Sequence, residues 1–269
     1  DGEKILFVGL PCQGAAAKYY TKNHQNLYTI DLICHGTPSP KILEKFLDDY
    51  DIKLVDIERI KFRVKNSFKL EQNGKQFAVP TVTDNYLLTF LNSTSYTENC
   101  YQCNYARLSR AGDITLGDSW GSELEKKIQD KGVSLILCQS EKGKKLIEQS
   151  DLVLKDVELK RAIEHNHQLQ HPSQKPQQRE AFFGELNKGC KFKNAVRKCY
   201  PERYLKDTVK TLLYKAKYVR GGAKKLLNNY WYEYNWKIEI TKWKLVSYNF
   251  ATNGLVLHNL RFVRLKYQI

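Results

Sequence analysis

Methionine is missing from all 269 residues, so the chain carries no initiator. With a start at Asp1-Gly2 that runs straight into "EKILFVGL", this is expected of a fragment whose upstream part is missing. Long apolar runs are missing as well. A spanning helix needs roughly 20 apolar residues, whereas "ILFVGL" and "VSLILC" have the length of buried strands. No basic-then-apolar leader marks a signal peptide. There is no G-x-G-x-x-G, no internal repeat and no low-complexity tract. Helix-turn-helix, zinc-finger and RNA-binding signatures are also lacking, which ranks nucleic acid last among partners. What remains is the composition of a soluble globular protein, 42% hydrophobic and 27% charged. Its length suits one large domain or two ordinary ones.

Acidic residues become scarce toward the C-terminus. Residues 1–184 hold 25 Lys and Arg against 24 Asp and Glu, while residues 185–269 hold 19 against 5. Such asymmetry separates modules with different partners. It predicts a boundary near residue 184, with an α/β domain over 1–184 and a basic, aromatic-rich extension over 185–269. The stretch "YWYEYNWKIEITKWKLVSYNF" sets three Trp among Tyr and Lys. That mixture suits an anionic membrane surface, an anionic polymer, or a small packed module with a solvated lysine face. The location expected is cytoplasmic, with a seat at the inner face of the membrane.

"KILFVGL" is a continuous apolar run, the pattern of a strand covered on both faces, and "NLYTIDLICHG" repeats it. Ala15–Lys18 between them reads as a short helix. After the second strand, Ser39 and Pro40 open a helix, since a first-turn proline loses no hydrogen bond. This order predicts an α/β fold with a mixed, largely parallel sheet and flanking helices, followed by a helical and aromatic extension. "DIERIKFRV" reads as a half-exposed strand, and "FKLEQNGKQFAV" as a hairpin turning at Asn73-Gly74. "DNYLLTFLN" and "EKGKKLIEQS" read as helices, "DITLGDSW" and "VSLILCQS" as strands. "HPSQKPQQRE" is a polar connector, and "LKDTVKTLLYKAKYVRGGAKKLLNNY" carries apolar residues at helical spacing with a Gly-Gly break.

Seven cysteines without secretory context fit a reducing compartment. Cys138 falls inside a strand and reads as packing; Cys190 and Cys199 have no helper motif. Cys12 and Cys34 each follow one of the first two strands. If those strands are parallel neighbours, both thiols face the crevice beyond the strand ends, where open α/β sheets build their sites. Cys100-x-x-Cys103 lies in a loop able to close over it. A redox pair needs only the C-x-x-C and leaves Cys12 and Cys34 unexplained. Structural zinc takes four thiolates, usually from two close pairs. A [4Fe–4S] cube accepts four thiolates gathered singly. Any one of these cysteines alone reads as a small buried hydrophobe.

Six blocks, "GLPCQ", "DLICHGTPSP", "CYQC", "DITLGDSWG", "KGVSLIL" and "NHQLQHPSQKPQQREAFF", resemble the coenzyme F420 hydrogenase/dehydrogenase beta-subunit family in order and spacing over about residues 4–184. The resemblance implies an iron–sulfur flavoprotein oxidoreductase with FAD and a [4Fe–4S] cluster. Electrons would pass between the cluster and a flavin-linked small-molecule substrate, coenzyme F420-like or unidentified. By the same resemblance Cys12, Cys34, Cys100 and Cys103 are the cluster ligands. The electron partner is a ferredoxin-type donor or acceptor, or a missing N-terminal ferredoxin-like module. The resemblance is nearest to members found among bacterial surface-polysaccharide genes, so a non-catalytic scaffold stapled by zinc or a cluster is the alternative.

On the flavin side, Asp113, Thr115, Gly117 and Asp118 offer small residues and backbone amides to a ring or phosphate. The other reading of the four is a buried strand and tight turn. Arg179 either holds an FAD phosphate in bidentate fashion or stands exposed at a helix start. His35 either donates to a cluster sulfur or satisfies a loop carbonyl. Lys131-Gly132 forms a turn, and Asn166, His167, Pro172 and Ser173 fall in the final block.

Overall fold

The computed structural model describes residues 2–64, 67–220, 240–242, 245–249, 254–258 and 261–263, with side chains up to residue 215. Two compact units emerge. The first comprises Asp1–Thr37, Thr97–Gln174 and Glu239–Ile269, the second Pro38–Tyr96 and Lys175–Ile238.

The chain begins in the first unit with β1 (Ile5–Val8), α1 (Pro11–Tyr20) and β2 (Leu27–Leu32). The second unit then takes α2 (Pro40–Asp48), β3 (Ile60–Val64), β4 (Ser67–Gln72), β5 (Lys75–Gln76) and α3 (Asn85–Leu91). Back in the first unit come β6 (Ile114–Asp118), α4 (Lys126–Gln129), β7 (Ser134–Cys138), α5 (Glu141–Glu148) and α6 (Leu159–Glu164). The second unit closes with α7 (Gln178–Asn187), α8 (Phe192–Cys199) and α9 (Pro201–Arg220). The strands β8 (Ile240–Lys242), β9 (Leu245–Asn249), β10 (Gly254–His258) and β11 (Arg261–Val263) return to the first.

The main sheet of the first unit has the order β10-β9-β1-β2-β6-β7. β1 pairs in parallel with β2, which pairs in parallel with β6. β9 adds a parallel strand beside β1, while β7 and β10 run antiparallel at the two edges. The fold is therefore mixed α/β with a largely parallel sheet. As expected, the C-terminal ends of β1 and β2 are neighbours. One expectation is corrected: Cys138, read as packing, is exposed at the end of β7, the edge strand of this sheet among the described residues.

The second unit is organised around rings. Phe46 on α2 meets Tyr50, Phe77, Tyr86 and Phe192 at centroid distances of 5.2, 5.1, 5.8 and 5.5 Å. Phe182, Leu186 and Val196 of α7 and α8 join the same core. The hairpin between β4 and β5 turns at Asn73 and Gly74, φ 47° and 84°, the left-handed pair that a type I′ turn requires. Asp84 is buried and caps α3 by accepting from Leu87 N–H at 2.9 Å, and its other oxygen accepts from Leu70 N–H at 3.0 Å. Ser39 precedes Pro40 at the start of α2, yet its side chain makes no capping bond. The boundary expected near residue 184 lies inside α7, where Phe182 and Leu186 on either side of it share one core. Most of the Trp- and Tyr-rich stretch lies outside the described residues.

Candidate functional site: a four-cysteine pocket

Three pieces of backbone bring the thiols together. Pro11 starts α1 directly after β1, so Cys12 falls in the first turn of that helix; Gln13 reaches back to take the Leu10 N–H at 2.8 Å. Cys34 lies just beyond the end of β2. Its segment continues through Gly36, at φ 135°, a backbone conformation that side-chain-bearing residues avoid. The chain leaves this unit after Thr37 and re-enters at Thr97, and the two ends are clamped by Thr97 N–H donating to Thr37 O at 2.8 Å. The 3-10 turn Glu98–Gln102 follows, carrying Cys100 and leading into Cys103. That clamp is why two cysteines so far apart in sequence from Cys34 arrive beside it.

Cys12, Cys34, Cys100 and Cys103 all line one small pocket. All four are free thiols. Thr37 N–H donates to Cys100 Sγ at 3.4 Å, and the Thr97 hydroxyl lies 3.2 Å from the same sulfur. Burial, then the neighbouring Cys103, pushes the Cys12 thiol up. Burial pushes Cys34 up to about 11. Both are therefore protonated at neutral pH and neither is a ready nucleophile. Among the described residues, no compact group of three or more His, Cys, Asp or Glu side chains is arranged around a single metal ion.

Arg110 also lines the pocket and was not singled out in the sequence. It is buried, donates from Nη2 to Gln168 O at 3.1 Å and from Nη1 to Leu32 O at 3.4 Å, and its Nε–H has no partner among the described residues. Burial lowers its pKa, and Asp31, Cys34 and Cys103 oppose that shift. A cation is thus fixed beside two of the four thiols. Nothing in "ARLSRAGD" separates Arg110 from Arg107; only the fold buries one of them. Thr97, three residues before Cys100, was the more readable signal, since a hydroxyl at that spacing commonly caps a turn.

His35, next to Cys34, lines the pocket too. The Gln168 amide stands 2.6 Å from His35 Nδ1 and 2.7 Å from His167 Nε2, donating to both. The His35 proton consequently sits on Nε2. Desolvation, then His167, pushes its pKa down while Asp118 raises it, so the ring is neutral. Ser173 Oγ donates to His35 O at 2.6 Å, tying the 171–174 connector to the pocket wall. Asn166 is buried and donates to Ala162 O at 2.9 Å.

None of the five flavin-side candidates lines this pocket. Asp113 sits at the opposite end of β6, level with Thr29, and is fully engaged. It accepts from Thr29 N–H (2.8 Å), Thr29 Oγ1 (2.9 Å), Lys18 Nζ (3.1 Å) and Ser140 Oγ (2.9 Å). Thr115 is fully buried in the sheet. Gly117 is held by packing, because a Cβ there would meet the Ile33 side chain at 2.4 Å. Asp118 ends β6 opposite Ser134 of β7. Arg179 belongs to the second unit and is buried, not exposed. Its Nη1 donates to Thr94 O at 3.0 Å and Tyr96 O at 2.6 Å, and its guanidinium lies 4.4 Å from the Phe183 ring. Lys131 and Gly132 form the turn before β7, Gly132 at φ 86°.

A search of curated proteins finds no match to this chain. Among solved structures, the chain is similar to "Xenon derivatization of the F420-reducing [NiFe] hydrogenase complex from Methanosarcina barkeri", at 22% identity and a TM-score of 0.36. The similarity covers 55% of this chain and 48% of that one, so the chain spans about half the length of its neighbour. Residues 2–160 match the family described as the C terminus of the coenzyme F420 hydrogenase/dehydrogenase beta subunit. The match takes in all four pocket cysteines and stops short of the 166–183 block. The chain belongs to the coenzyme F420 hydrogenase/dehydrogenase beta-subunit family.

Proposed function

We propose that this member of an oxidoreductase family is an electron-transfer flavoprotein whose four pocket cysteines hold a [4Fe–4S] cluster. The observation that carries the proposal is the convergence of Cys12, Cys34, Cys100 and Cys103, drawn from three separate segments, on one pocket. The donor set fits: four soft sulfurs, unpaired with one another, with an N–H and a hydroxyl aimed at Cys100 Sγ as second-layer support. When bound, the cluster supplies one-electron transfer and FAD pairs electrons for hydride chemistry. The chain's own part is to bind and to tune. Cys12 and Cys34 must release their protons on binding, which makes loading pH-dependent. Arg110 offsets the negative charge of the thiolates, and Gln168 holds His35 as a neutral donor.

FAD enters from the family resemblance, and no step is assigned through it because its five candidate residues do not converge on the pocket. The substrate class is a small redox molecule, F420-like or unidentified. The electron partner is a ferredoxin-type protein or module.

Metal and acid-labile sulfide after anaerobic purification test the proposal. About four iron and four sulfide per chain, with broad absorbance near about 400 nm, are expected. One zinc, no sulfide and a colourless protein would replace it with the metal-stapled scaffold. Flavin bands in the same spectrum would support FAD.

A further inference from the structure

Soluble proteins turn the apolar stripe of a surface helix inward and leave its charges in water. α9 does the reverse. Among its residues 201–215, whose side chains are described, those buried or half-buried are Tyr204, Asp207, Lys210, Thr211 and Tyr214, a polar and phenolic face. Asp207 on that side is held by Arg203 Nε at 2.6 Å, and Thr211 Oγ1 donates to Asp207 O at 2.7 Å. The outward face carries Leu205, Val209, Leu212 and Leu213, which are 66, 47, 61 and 65% exposed. At 3.6 residues per turn these four fall within an arc of about 100°. Exposed Lys206 lies along one flank of the stripe and exposed Lys215 along the other.

We infer that α9 is an in-plane docking helix for an anionic lipid bilayer. A helix about 30 Å long would lay its leucines into the boundary between headgroups and acyl chains, with the flanking lysines on lipid phosphates. Charge complementarity selects this occupant: of the 24 formally charged Lys, Arg, Asp and Glu side chains in residues 185–269, 19 are basic. A helix lying on the surface also fits its composition, since no helix among the described residues is long and apolar enough to cross a membrane. The stripe is broader than the singly scattered apolar residues that any surface shows. This inference stands on α9 and the charge of residues 185–269 and is independent of what fills the cysteine pocket.

The test is flotation of the full chain with vesicles of phosphatidylcholine mixed with phosphatidylglycerol, and with phosphatidylcholine alone, at low salt. The chain should float with the anionic vesicles and much less with the neutral ones. Lys206→Gln/Lys215→Gln should weaken binding roughly thirtyfold. Leu205→Ser/Leu212→Ser/Leu213→Ser should weaken it at least about tenfold. All five positions are exposed, so melting temperatures should match the parent. Leu212→Ser, a single exposed change, gives the same reading if the triple variant does not fold. Failure to float with anionic vesicles would overturn the inference, as would flotation that the leucine changes leave intact. A dimer that the leucine changes convert to monomers, with no vesicle binding, would assign the stripe to a second copy instead.

Discussion

In the second unit rings and branched chains outnumber buried polar groups such as Asp84 and Arg179: Phe46, Tyr86, Phe182 and Phe192 stand in edge-on or tilted contact, closed by Leu47, Leu87 and Val196. In the first unit much of the interior is polar, with Thr29, Asp31, Arg110, Asp113, Thr115 and Gln168 all buried. Apolar packing is tolerant and strong; buried polar networks are specific and demand that every partner be present. The four-cysteine pocket is built in the polar unit. There, fixed hydrogen bonds hold loop backbone and charge in place around it. Stability and site chemistry are therefore concentrated in different parts of one chain.

The sharpest way to break that contrast is to damage each interior in turn. Phe46→Ala should cost about 3–5 kcal/mol in chemical denaturation, because four ring contacts and a large volume vanish together. Yet it should leave the iron content of the folded fraction unchanged. Asp113→Ala should cost less, about 2–3 kcal/mol, by stranding the Thr29 N–H and the Ser140 hydroxyl. Equal losses in the two variants would erase the distinction between the interiors.

These two residues also show what a sequence reader can see. Phe46 lies in a helix that Ser39 and Pro40 announce, and apolar runs between turn signals made most elements legible: β1, β2, β6, β7 and α3 stand where those signals put them. Parallel order at β1 and β2 followed from strand–helix–strand alternation, and with it the shared location of Cys12 and Cys34. The arrival of Cys100 and Cys103 depended on the Thr37–Thr97 clamp, a long-range backbone contact that no local pattern encodes. Asp113 was read as a flavin-side residue for the small residues and backbone amides beside it, and Arg179 for its place in the last family block and its bidentate guanidinium. The fold engages both internally, one across the strands of a sheet and one on the carbonyls of residues 94 and 96. Arg110 was invisible for the opposite reason, since burial of one arginine among several is decided by tertiary packing.

Removing the Arg179 guanidinium should rank next. Arg179→Met should destabilise the chain by about 2 kcal/mol, measured by denaturant titration, since two carbonyls in the 94–96 segment lose their donor. The flavin content of the folded fraction should not change, which sets it apart from an FAD-binding arginine.

The smallest effect is one of pH. Burial pushes the Asp113 carboxyl up, but hydrogen bonds from Thr29 N–H, Lys18, Ser140 and the Thr29 hydroxyl prevail and hold it below the usual range. A carboxylate lowered on folding contributes stability above its unfolded pKa of about 4, and that contribution is lost as pH falls through the lower folded value. The stability gap between the parent and Asp113→Asn should therefore be widest near neutrality and close below about pH 4. A gap that widened on acidification would show that the aspartate is not held as an anion. Asp31 in the same sheet moves the other way, raised by burial, so the polar interior carries both signs.

The central claim is that four cysteines, and not the other three, hold a four-iron cluster. Iron per folded chain, measured anaerobically across single Cys→Ser variants at all seven positions, tests it most directly. Changes at Cys12, Cys34, Cys100 and Cys103 should each lower iron and bleach the visible band, while changes at Cys138, Cys190 and Cys199 should leave both at the parental level. Iron retained in a Cys34→Ser/Cys100→Ser double variant, or lost equally at Cys138, would contradict the account.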